Sequence, residues 1–318
     1  MTLALYRSML RIRMVEEAIA EAYPQQRMRC PVHLSIGQEA TAAALGLALR
    51  PDDQALSTHR AHAHYLGKGG DLNAMIAELH GKASGCCGGR GGSMHLSDPR
   101  VGFMASTAIV GNSIPLGVGV ALAQQLQGLD AISCVFLGDG ATEEGAFYEA
   151  ANFAALRQLP VLFICENNLY SVYAPLSKRQ PPSRSLCAVA TALGLAAHQV
   201  DGNDAQAVLV AARQAAASVR AGQGPVFLEA MTYRWREHCG PAFDDDLGYR
   251  PDGELAAWQL RDPLALLAQR LALSAATQAA LRADIGVEIA EAFALAERAP
   301  FPDESSVFDG IYSMELAG

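Results

Sequence analysis

Short apolar runs alternate with segments of helical spacing in the second half of the chain. Two of the runs are ISCVFL and VLFICE (residues 132–137 and 161–166), and the segment between them (142–157) repeats its apolar residues at helical intervals. Apolar runs of this length, with no polar face, are typical of parallel strands that helices cover on both sides. AAHQV, the helical segment 204–220 and VFLEAMTYRW continue the alternation. The pattern therefore predicts an α/β fold with a doubly wound, mostly parallel sheet.

The first half is predicted to consist of helices around two irregular segments. A helical N-terminal arm covers about residues 1–30, and an Ala-rich helix covers 38–49. The histidine-rich stretch RPDDQALSTHRAHAHYLGKGG (50–70) is predicted to be a loop. The glycine-rich stretch 81–108 is predicted to be a long irregular connection, a kind of segment that is usually functional. A helix follows at 109–126.

The end of the chain is an Ala/Leu-rich segment, which predicts a helical C-terminal tail over about residues 262–318. We find no internal repeat and no clear linker. The simplest prediction is one domain, 1–318, in which the arm and the tail are helical additions to the sheet.

Charge and apolar content argue against a nucleic-acid-binding protein and against a membrane protein. The chain has 318 residues, of which 51% are hydrophobic, and 33 acidic side chains against 24 Lys and Arg. A nucleic-acid binder needs a basic face, so we expect no nucleic-acid partner. We also expect no membrane partner, because no run is long enough to span a bilayer and the start lacks the features of a signal peptide. The seven cysteines are scattered, and most lie in apolar runs, which favours a reducing, cytoplasmic location.

Polar residues follow the two best-defined strands. GDG (138–140) ends one strand, and Asn167-Asn168 end the other. Parallel strands joined by a right-handed crossover end at the same edge of the sheet, so we expect Asp139 and Asn168 to be neighbours. The glycines permit a close approach of the backbone to a ligand, and the amides of the next helix suit phosphate. Carboxylate, amide and carbonyl oxygens suit Mg with a diphosphate better than they suit zinc.

Each piece alone has a simpler interpretation. Asp139 could cap a helix, and Asn167-Asn168 could form a turn. The two pieces together are more specific than a helix cap and a turn, because 26 residues (141–166) separate GDG from NN. This arrangement resembles the signature of thiamine diphosphate enzymes.

A zinc site is the other metal interpretation. Its candidate ligands are His64, His80, His95 and Cys86-Cys87. Their spacings contain no paired Cys-x-x-Cys or His-x-x-x-His pattern, which argues against zinc.

Further motifs, which follow one another along nearly the whole chain, narrow the resemblance to one group of thiamine diphosphate enzymes. They are YRSMLRIRMVEEAI, HLSIGQEA, HRAHAHYLGKGG, GGRGGSMHL, IVGNSIPLGVGVALA, GDGATEEGAFYEAANFAAL, CENNLYSV, TYRW and FPDE. With them the chain resembles the alpha subunit of the thiamine diphosphate-dependent first component of 2-oxo acid dehydrogenase complexes, the pyruvate, branched-chain and acetoin dehydrogenase group. The resemblance implies a thiamine diphosphate-binding fold of the diphosphate type, with thiamine diphosphate and Mg as cofactors. It also implies an α2β2 heterotetramer in which a beta subunit supplies the pyrimidine-type domain and the activating glutamate.

The resemblance implies roles for individual residues. The metal set is Asp139, Asn168 and the backbone carbonyl of Tyr170. The cofactor-binding set is His59, Arg60, Ala108, Val110, Gly138, Asp139, Gly140, Ala141, Asn168, Tyr170 and His238. Within it, Arg60 would bind diphosphate oxygens through its forked donors, and Val110 would prop the cofactor in a bent shape. His59 replaces a tyrosine that many relatives carry.

The resemblance also implies a catalytic set, which is His33, His62 and His238. Their imidazoles can exchange protons with a 2-oxo acid adduct or steady its carboxylate. Without the resemblance, residues of both sets have simpler interpretations. Arg60 could be a surface charge, His62 a solvated loop residue and Val110 part of the core.

One loop departs from the family's pattern. After TYRW the chain reads REHCGPAFDDD, where relatives usually carry HGHS or a near variant. His238 keeps its place, but Cys239 replaces a serine that is a target of regulatory phosphorylation in animal relatives, so we do not expect that control here. Arg236 and Glu237 favour a different acceptor or a charged substrate, unless the loop is a solvated one that has drifted.

Two functions therefore stay open. In the first, the enzyme decarboxylates a 2-oxo acid or cleaves acetoin, and transfers the acyl group to lipoamide on a lipoylated acyltransferase. In the second, it is a carboligase or decarboxylase of a specialised pathway that does not use lipoamide. A noncatalytic scaffold is a third hypothesis, which the GDG and NN pair opposes because a scaffold needs neither the metal carboxylate nor the diphosphate arginine. The substrate, a small 2-oxo acid or acyloin, is not specified by the sequence.

Overall fold

The computed structural model describes residues 2–309, so the end of the predicted tail (310–318) lies outside the described residues. The helices are α1 (Thr2–Ala22), α2 (Glu39–Ala48), α3 (His62–Gly67), α4 (Leu72–Leu79), α5 (Ser113–Leu126), α6 (Gly145–Arg157), α7 (Leu176–Arg179), α8 (Leu186–Ala192), α9 (Ala205–Arg220), α10 (Glu254–Gln259), α11 (Pro263–Arg270) and α12 (Ala275–Arg298). The strands are β1 (Gln54–Ser57), β2 (Phe103–Ser106), β3 (Ser133–Gly138), β4 (Val161–Asn167), β5 (Tyr170–Ser171), β6 (Ala174–Pro175), β7 (Ala196–Asp201) and β8 (Val226–Met231).

Six strands form one sheet in the order β2-β1-β3-β4-β8-β7, and every neighbouring pair is parallel. The short strands β5 and β6 pair separately as an antiparallel hairpin. The predicted α/β class with a parallel sheet is confirmed. α1 lies within the segment predicted as the helical arm and ends at Ala22, and α11 and α12 lie within the segment predicted as the tail.

Side chains of the central strands alternate between two apolar cores. Cys134 and Phe136 of β3 belong to one core, which also contains residues of α1, α2, α4, α9 and α12. Val135 and Leu137 belong to the other core, with residues of α5, α6 and α8. Successive side chains of a strand point to opposite faces, and here helices cover both faces. This explains why the apolar runs have no polar side.

Two segments that were predicted to be irregular contain regular structure. The histidine-rich segment 50–70 holds β1 and α3, and the glycine-rich segment 81–108 ends in β2. The loop prediction for 50–70 is therefore wrong. β1 reads QALS, which is too short and too polar to stand out in the sequence, but its place between β2 and β3 buries it. Its Ser57 is satisfied by a 2.8 Å hydrogen bond with His64 Nδ1.

Several predicted helices have different limits. The helix predicted at 109–126 begins at Ser113, since Gly111 just before it has a φ of 80°, which is not helical. The helix predicted from residue 142 begins at Gly145, because Asp139–Glu143 forms a 3-10 turn in which Thr142 Oγ1 donates to the Asp139 carbonyl at 2.7 Å. The tail is two helices rather than one. The chain turns at Ala272, which has a φ of 48°, and Ser274 then caps α12 by accepting from the Thr277 amide at 3.1 Å.

Among residues 2–309, no single helix is both long enough and apolar enough to cross a membrane. The bent pair Glu254–Arg270 and Ala275–Arg298 reaches that length and composition only as two pieces, at an angle of 111°.

Candidate active site

The carboxyl ends of β3 and β4 meet at one edge of the sheet. Gly138 and Glu166 are register partners, so the polar residues that follow them are brought together. They line an open cleft of about 940 Å³, counting the part that faces solvent. The predicted site residues that line it are His33, His59, Arg60, Ala108, Val110, Gly138, Asp139, Gly140, Ala141, Asn168, Tyr170 and His238. The structure thus brings together residues from six separate parts of the chain.

Asp139 is the buried carboxylate of the cleft, with 1% of its surface exposed. Burial raises the pKa of Asp139, while the nearby Arg179 guanidinium acts in the opposite direction. Arg179 donates to Asp139 Oδ2 and also lies 2.5 Å from Glu143 Oε1. Arg179 thus occupies one oxygen of this carboxylate, and carboxylate oxygens are hard donors of the kind that a divalent cation prefers.

The two asparagines at the carboxyl end of β4 form successive tight turns. Asn167 Oδ1 accepts from the Leu169 amide at 3.1 Å, and Asn168 Oδ1 accepts from the Tyr170 amide at 3.2 Å. Leu169 has a φ of 72° and Val172 a φ of 55°, which are uncommon for large side chains. Backbone strain of this kind concentrates at functional sites. Here it turns the segment across the mouth of the cleft immediately after β4.

Arg60 is a buried guanidinium in the same cleft. It donates to the Leu34 carbonyl at 2.6 Å and to the His238 carbonyl at 3.3 Å. Within the described residues it has no carboxylate at ion-pair distance. Burial, and then the neighbouring Arg234, lower the pKa of Arg60 to about 10, so it is still charged at neutral pH. A buried cation whose partners are only carbonyls is suited to an incoming anion.

Three histidines cluster beside Arg60. The ring centroids of His33, His59 and His238 lie 4.7 to 5.2 Å apart. Burial, and then the charge of Arg60, lower the pKa of each to about 3, so all three are neutral at pH 7. His33 Nδ1 is buried and has no hydrogen-bond partner among residues 2–309. The cluster therefore offers neutral imidazoles, one of them with a free polar atom.

The same cluster has the geometry of a metal site, which the sequence analysis missed. Ligand nitrogens of His33, His59 and His238 lie within 4.8 Å of one another. The positive charge of Arg60 and Arg234, which lowers the pKa of these imidazoles, also opposes a bound dication. We therefore interpret the cluster as part of an anion-binding cleft.

A family model described as "Dehydrogenase E1 component" matches residues 6–305 of this chain. The chain belongs to this family. It is 36% identical over 311 residues to a pyruvate dehydrogenase E1 component subunit alpha of Rickettsia felis, covering 96% of this chain and 94% of the relative. A protein of the same name from Zymomonas mobilis is 37% identical over 314 residues, covering 97% and 88%. The alpha subunit of acetoin:2,6-dichlorophenolindophenol oxidoreductase of Bacillus subtilis is 35% identical over 319 residues, covering 99% and 94%.

His62 of this E1 chain does not line the cleft, although the sequence analysis placed it in the catalytic set. It is fully buried in α3, where Nε2 lies 2.8 Å from Ser93 Oγ and Nδ1 lies 3.4 Å from Glu16 Oε2. The histidine pattern alone could not show this, because it does not reveal which way each ring of a short helix points. His62 connects α1 to the glycine-rich segment.

The zinc candidates of the sequence analysis bind separate partners. His64 stacks on Phe136 with ring centroids 3.8 Å apart, and His80 Nδ1 lies 2.8 Å from the Ile76 carbonyl. His95 Nδ1 lies 3.2 Å from the Gly91 carbonyl. Cys86 and Cys87 lie beside Glu78, but both oxygens of that carboxylate already accept backbone amides.

Several residues in or beside the E1 cleft were not singled out from the sequence. Gln38 and Glu166 both line it and are largely buried. A signal for Glu166 was present, because it is a charged residue at the carboxyl end of an apolar strand. Arg179 carried no such signal. It lies 40 residues beyond Asp139 and is brought back by the hairpin of β5 and β6.

The charged residues of the divergent REHCGP loop turn into the loop itself. Arg236 donates to the Pro241 carbonyl at 3.1 Å, and Glu237 Oε1 accepts from the Ala242 amide at 2.9 Å. Neither side chain lines the cleft, whereas His238 does. The change from the family's usual loop therefore leaves the histidine in the site and adds no charge to the cleft.

Proposed function

We propose that this chain is the alpha subunit of a thiamine diphosphate-dependent E1 component. The enzyme decarboxylates a 2-oxo acid, or cleaves acetoin, and transfers the acyl group to lipoamide. One observation carries the proposal. The buried Asp139 carboxylate, the Asn168 amide, the buried Arg60 and three neutral imidazoles share one cleft at the carboxyl edge of a parallel sheet. Relatives named for pyruvate dehydrogenase and for acetoin oxidation support it.

The residues present fit Mg and a diphosphate. Asp139, the side-chain oxygen of Asn168 and the carbonyl of Tyr170 are hard oxygen donors of the kind that Mg prefers. Arg60 supplies a cation with spare donors for phosphate oxygens. Gly140 leaves room at the cleft wall, since a Cβ there would come within 2.6 Å of Ser171 Oγ. These residues are the ones we assign to the cofactor.

The side chains of the cleft have distinct tasks in the reaction. Bound thiamine diphosphate supplies the electron sink for decarboxylation. Arg60 fixes the diphosphate end and, with its positive field, attracts an anionic 2-oxo acid into the cleft. His33 and His238 are neutral, so they can donate or accept a hydrogen bond at the substrate oxygens and take a proton transiently. The free Nδ1 of His33 is a natural partner for such an oxygen.

A beta subunit is part of the proposal because the cleft has an incomplete wall. Ile109 and Val110 line it yet are 65% and 51% exposed. Large apolar side chains exposed at the rim of a polar site mark a surface that another chain covers. We propose that the beta subunit packs there and supplies the second half of the site, and that a lipoylated acyltransferase receives the acyl group.

The substrate is left open between a 2-oxo acid and acetoin. The relatives named for pyruvate and for acetoin are 36% and 35% identical to this chain, so similarity does not choose between them. The alternative of a carboligase without lipoamide rested on Arg236 and Glu237. Both side chains are bound within their own loop, so no feature of residues 2–309 favours that alternative.

The experiment is reconstitution of the chain with its beta subunit, thiamine diphosphate and Mg. The complex is assayed on a panel of 2-oxo acids and acetoin, with and without a lipoylated domain. We expect acyl transfer to lipoyl lysine from at least one substrate. We expect loss of this activity in Asp139→Asn but not in the exposed control Asp52→Asn. Carbon dioxide release that yields a hydroxyketone and never an acyl-lipoyl product would establish the carboligase instead.

A further inference from the structure

A chain of polar contacts runs from the interior of the sheet to the proposed metal residue Asn168. Asn168 Nδ2 donates to Gln38 Oε1 at 3.1 Å, and Gln38 Nε2 donates to Glu166 Oε2 at 3.5 Å. Glu166 Oε2 lies 3.2 Å from His64 Nε2, a contact that has the distance but not the direction of a strong hydrogen bond. His64 Nδ1 lies 2.8 Å from Ser57 Oγ. All five side chains are at least nine-tenths buried.

This chain has a fixed polarity. A carboxylate such as Glu166 only accepts hydrogen bonds, so Gln38 must turn its NH2 group toward it. The Gln38 oxygen then faces Asn168, and Asn168 must donate to it with its own NH2 group. The amide oxygen of Asn168 is left on the opposite side, where it accepts from the Tyr170 amide. Oxygen is the atom that a Mg ion needs from an asparagine, because an amide nitrogen is not a ligand for it.

We propose that Glu166, which lies beside His64 and acts through Gln38, is a positioning residue that keeps the Asn168 oxygen turned toward the metal. The inference rests on the proposed function, because it takes Asn168 as a Mg ligand. Outer residues that orient a metal ligand commonly affect metal affinity by 10- to 100-fold when they are changed. Here the orientation passes through two amides, each of which could turn around if the carboxylate did not set its direction.

The neighbouring Asn167 is oriented by a carboxylate directly, without a glutamine between them. Asn167 Nδ2 donates directly to Glu229 Oε1 at 2.8 Å, and its oxygen accepts from the Leu169 amide. Glu229 also accepts from Gln199 Nε2 at 3.0 Å. The NH2 group of Asn167 is thus directed at a carboxylate, and that of Asn168 at an amide oxygen whose own group points to a carboxylate. Both asparagine oxygens are left to the turn.

The test measures binding of Mn2+, used in place of Mg2+, to the full chain with its beta subunit at saturating thiamine diphosphate. Free Mn2+ is followed by its electron paramagnetic resonance signal, so no turnover is needed. We expect Glu166→Gln and Gln38→Met each to weaken Mn2+ binding by about tenfold. The double exchange Gln38→Glu with Glu166→Gln places a carboxylate directly against the Asn168 NH2 group, where the parent has the Gln38 amide oxygen. We expect it to restore affinity to within about threefold of the parent.

Gln199→Met is the matched control, because it removes an amide to carboxylate contact on the same sheet without touching Asn168. It is expected to bind Mn2+ like the parent. If Glu166→Gln and Gln38→Met both bound Mn2+ as tightly as the parent, the inference would be overturned. The Tyr170 amide would then be the group that orients Asn168. A loss in Glu166→Gln alone would overturn it in favour of a plain charge effect, and so would failure of the double exchange to restore binding. A parent complex that bound no Mn2+ would instead overturn the proposed function.

Discussion

Arg179 donates a hydrogen bond to the Oδ2 atom of Asp139, and the same guanidinium reaches Glu143. One oxygen of the carboxylate that we assign to the metal is therefore bound by a cation of the chain itself. Burial raises the pKa of Asp139, and Arg179 counters that effect. The pairing helps to keep the carboxylate ionised and leaves its other oxygen for a metal.

Arg179→Gln should make metal binding depend more strongly on pH. Without the guanidinium, the pKa of Asp139 rises further, so protons compete with the metal as pH falls. We expect the Mg2+ affinity at saturating thiamine diphosphate to be close to that of the parent at pH 8.0 and clearly weaker at pH 6.5. Without metal, loss of a partner for a buried charge should cost about 3 kcal/mol of unfolding free energy. The control is Arg261→Gln, which removes a surface pair with Asp201. An affinity that falls equally at both pH values would contradict the argument.

Arg60→Lys tests the diphosphate assignment. A lysine keeps the charge but loses the fork of donors that matches phosphate oxygens. Charged hydrogen bonds contribute about 1.5 to 3 kcal/mol, so we expect the Kd for thiamine diphosphate to rise by roughly 10- to 100-fold. Calorimetric titration of the assembled complex measures it, and inorganic pyrophosphate should show the same loss. Unchanged affinity for both ligands would remove Arg60 from the diphosphate site.

The sequence was most informative where the chemistry is local. The runs that became β3 and β4 are apolar throughout because both of their faces are covered, and GDG and NN follow directly at their ends. Topology alone then brings Asp139 and Asn168 together. The carboxyl ends of neighbouring parallel strands lie at the same edge of the sheet. The residues that follow these ends could therefore be placed without coordinates.

The sequence was least informative where direction and distant packing decide. His62 and His64 are two residues apart on α3, and the sequence does not show that one faces Ser93 and the other Glu166. β1 was missed because burial in the sheet, rather than its composition, makes it a strand. Arg179 was missed because its partner lies 40 residues away, on the far side of α6, β4 and the β5–β6 hairpin.

The histidine cluster predicts a loss of stability in weak acid. The pKa of His33, His59 and His238 is about 3 in the folded chain, against an ordinary value near 6.5. Between these values the unfolded chain binds more protons, so the free energy of unfolding must fall as pH falls. From pH 7.5 to 5.5 each histidine should contribute a loss of about 1.4 kcal/mol, or about 4 kcal/mol together.

Urea unfolding of His59→Phe at both pH values measures this effect. The loss between pH 7.5 and 5.5 should be smaller than that of the parent by about 1.4 kcal/mol. His198→Phe replaces an exposed histidine of β7 and should leave the loss unchanged. If His59→Phe had the same pH dependence as the parent, His59 would be protonated equally in the folded and unfolded chain, and the cluster would not be neutral as described.

Glu78 should prove a main support of the glycine-rich segment. Its side chain is fully buried, and Oε2 accepts the amides of Cys87 and Gly89, both at 2.8 Å. Oε1 accepts those of Gly91 and Gly92 at 2.6 and 3.0 Å. Glu78→Gln would turn an NH2 group toward two of these amides, so that donors face donors and lose their partner. We expect the free energy of unfolding to fall by about 3 kcal/mol.

The effect should also be local, because the segment that Glu78 organises leads directly to Met94, which lines the cleft. Limited proteolysis should cut Glu78→Gln within residues 85–92 under conditions in which the parent and the exposed control Glu21→Gln remain intact. Thiamine diphosphate should then bind less tightly, since the ordering of the segment must be recovered on binding. A variant that unfolded like the parent and resisted cleavage would show that glycine turns alone hold the segment, without the carboxylate.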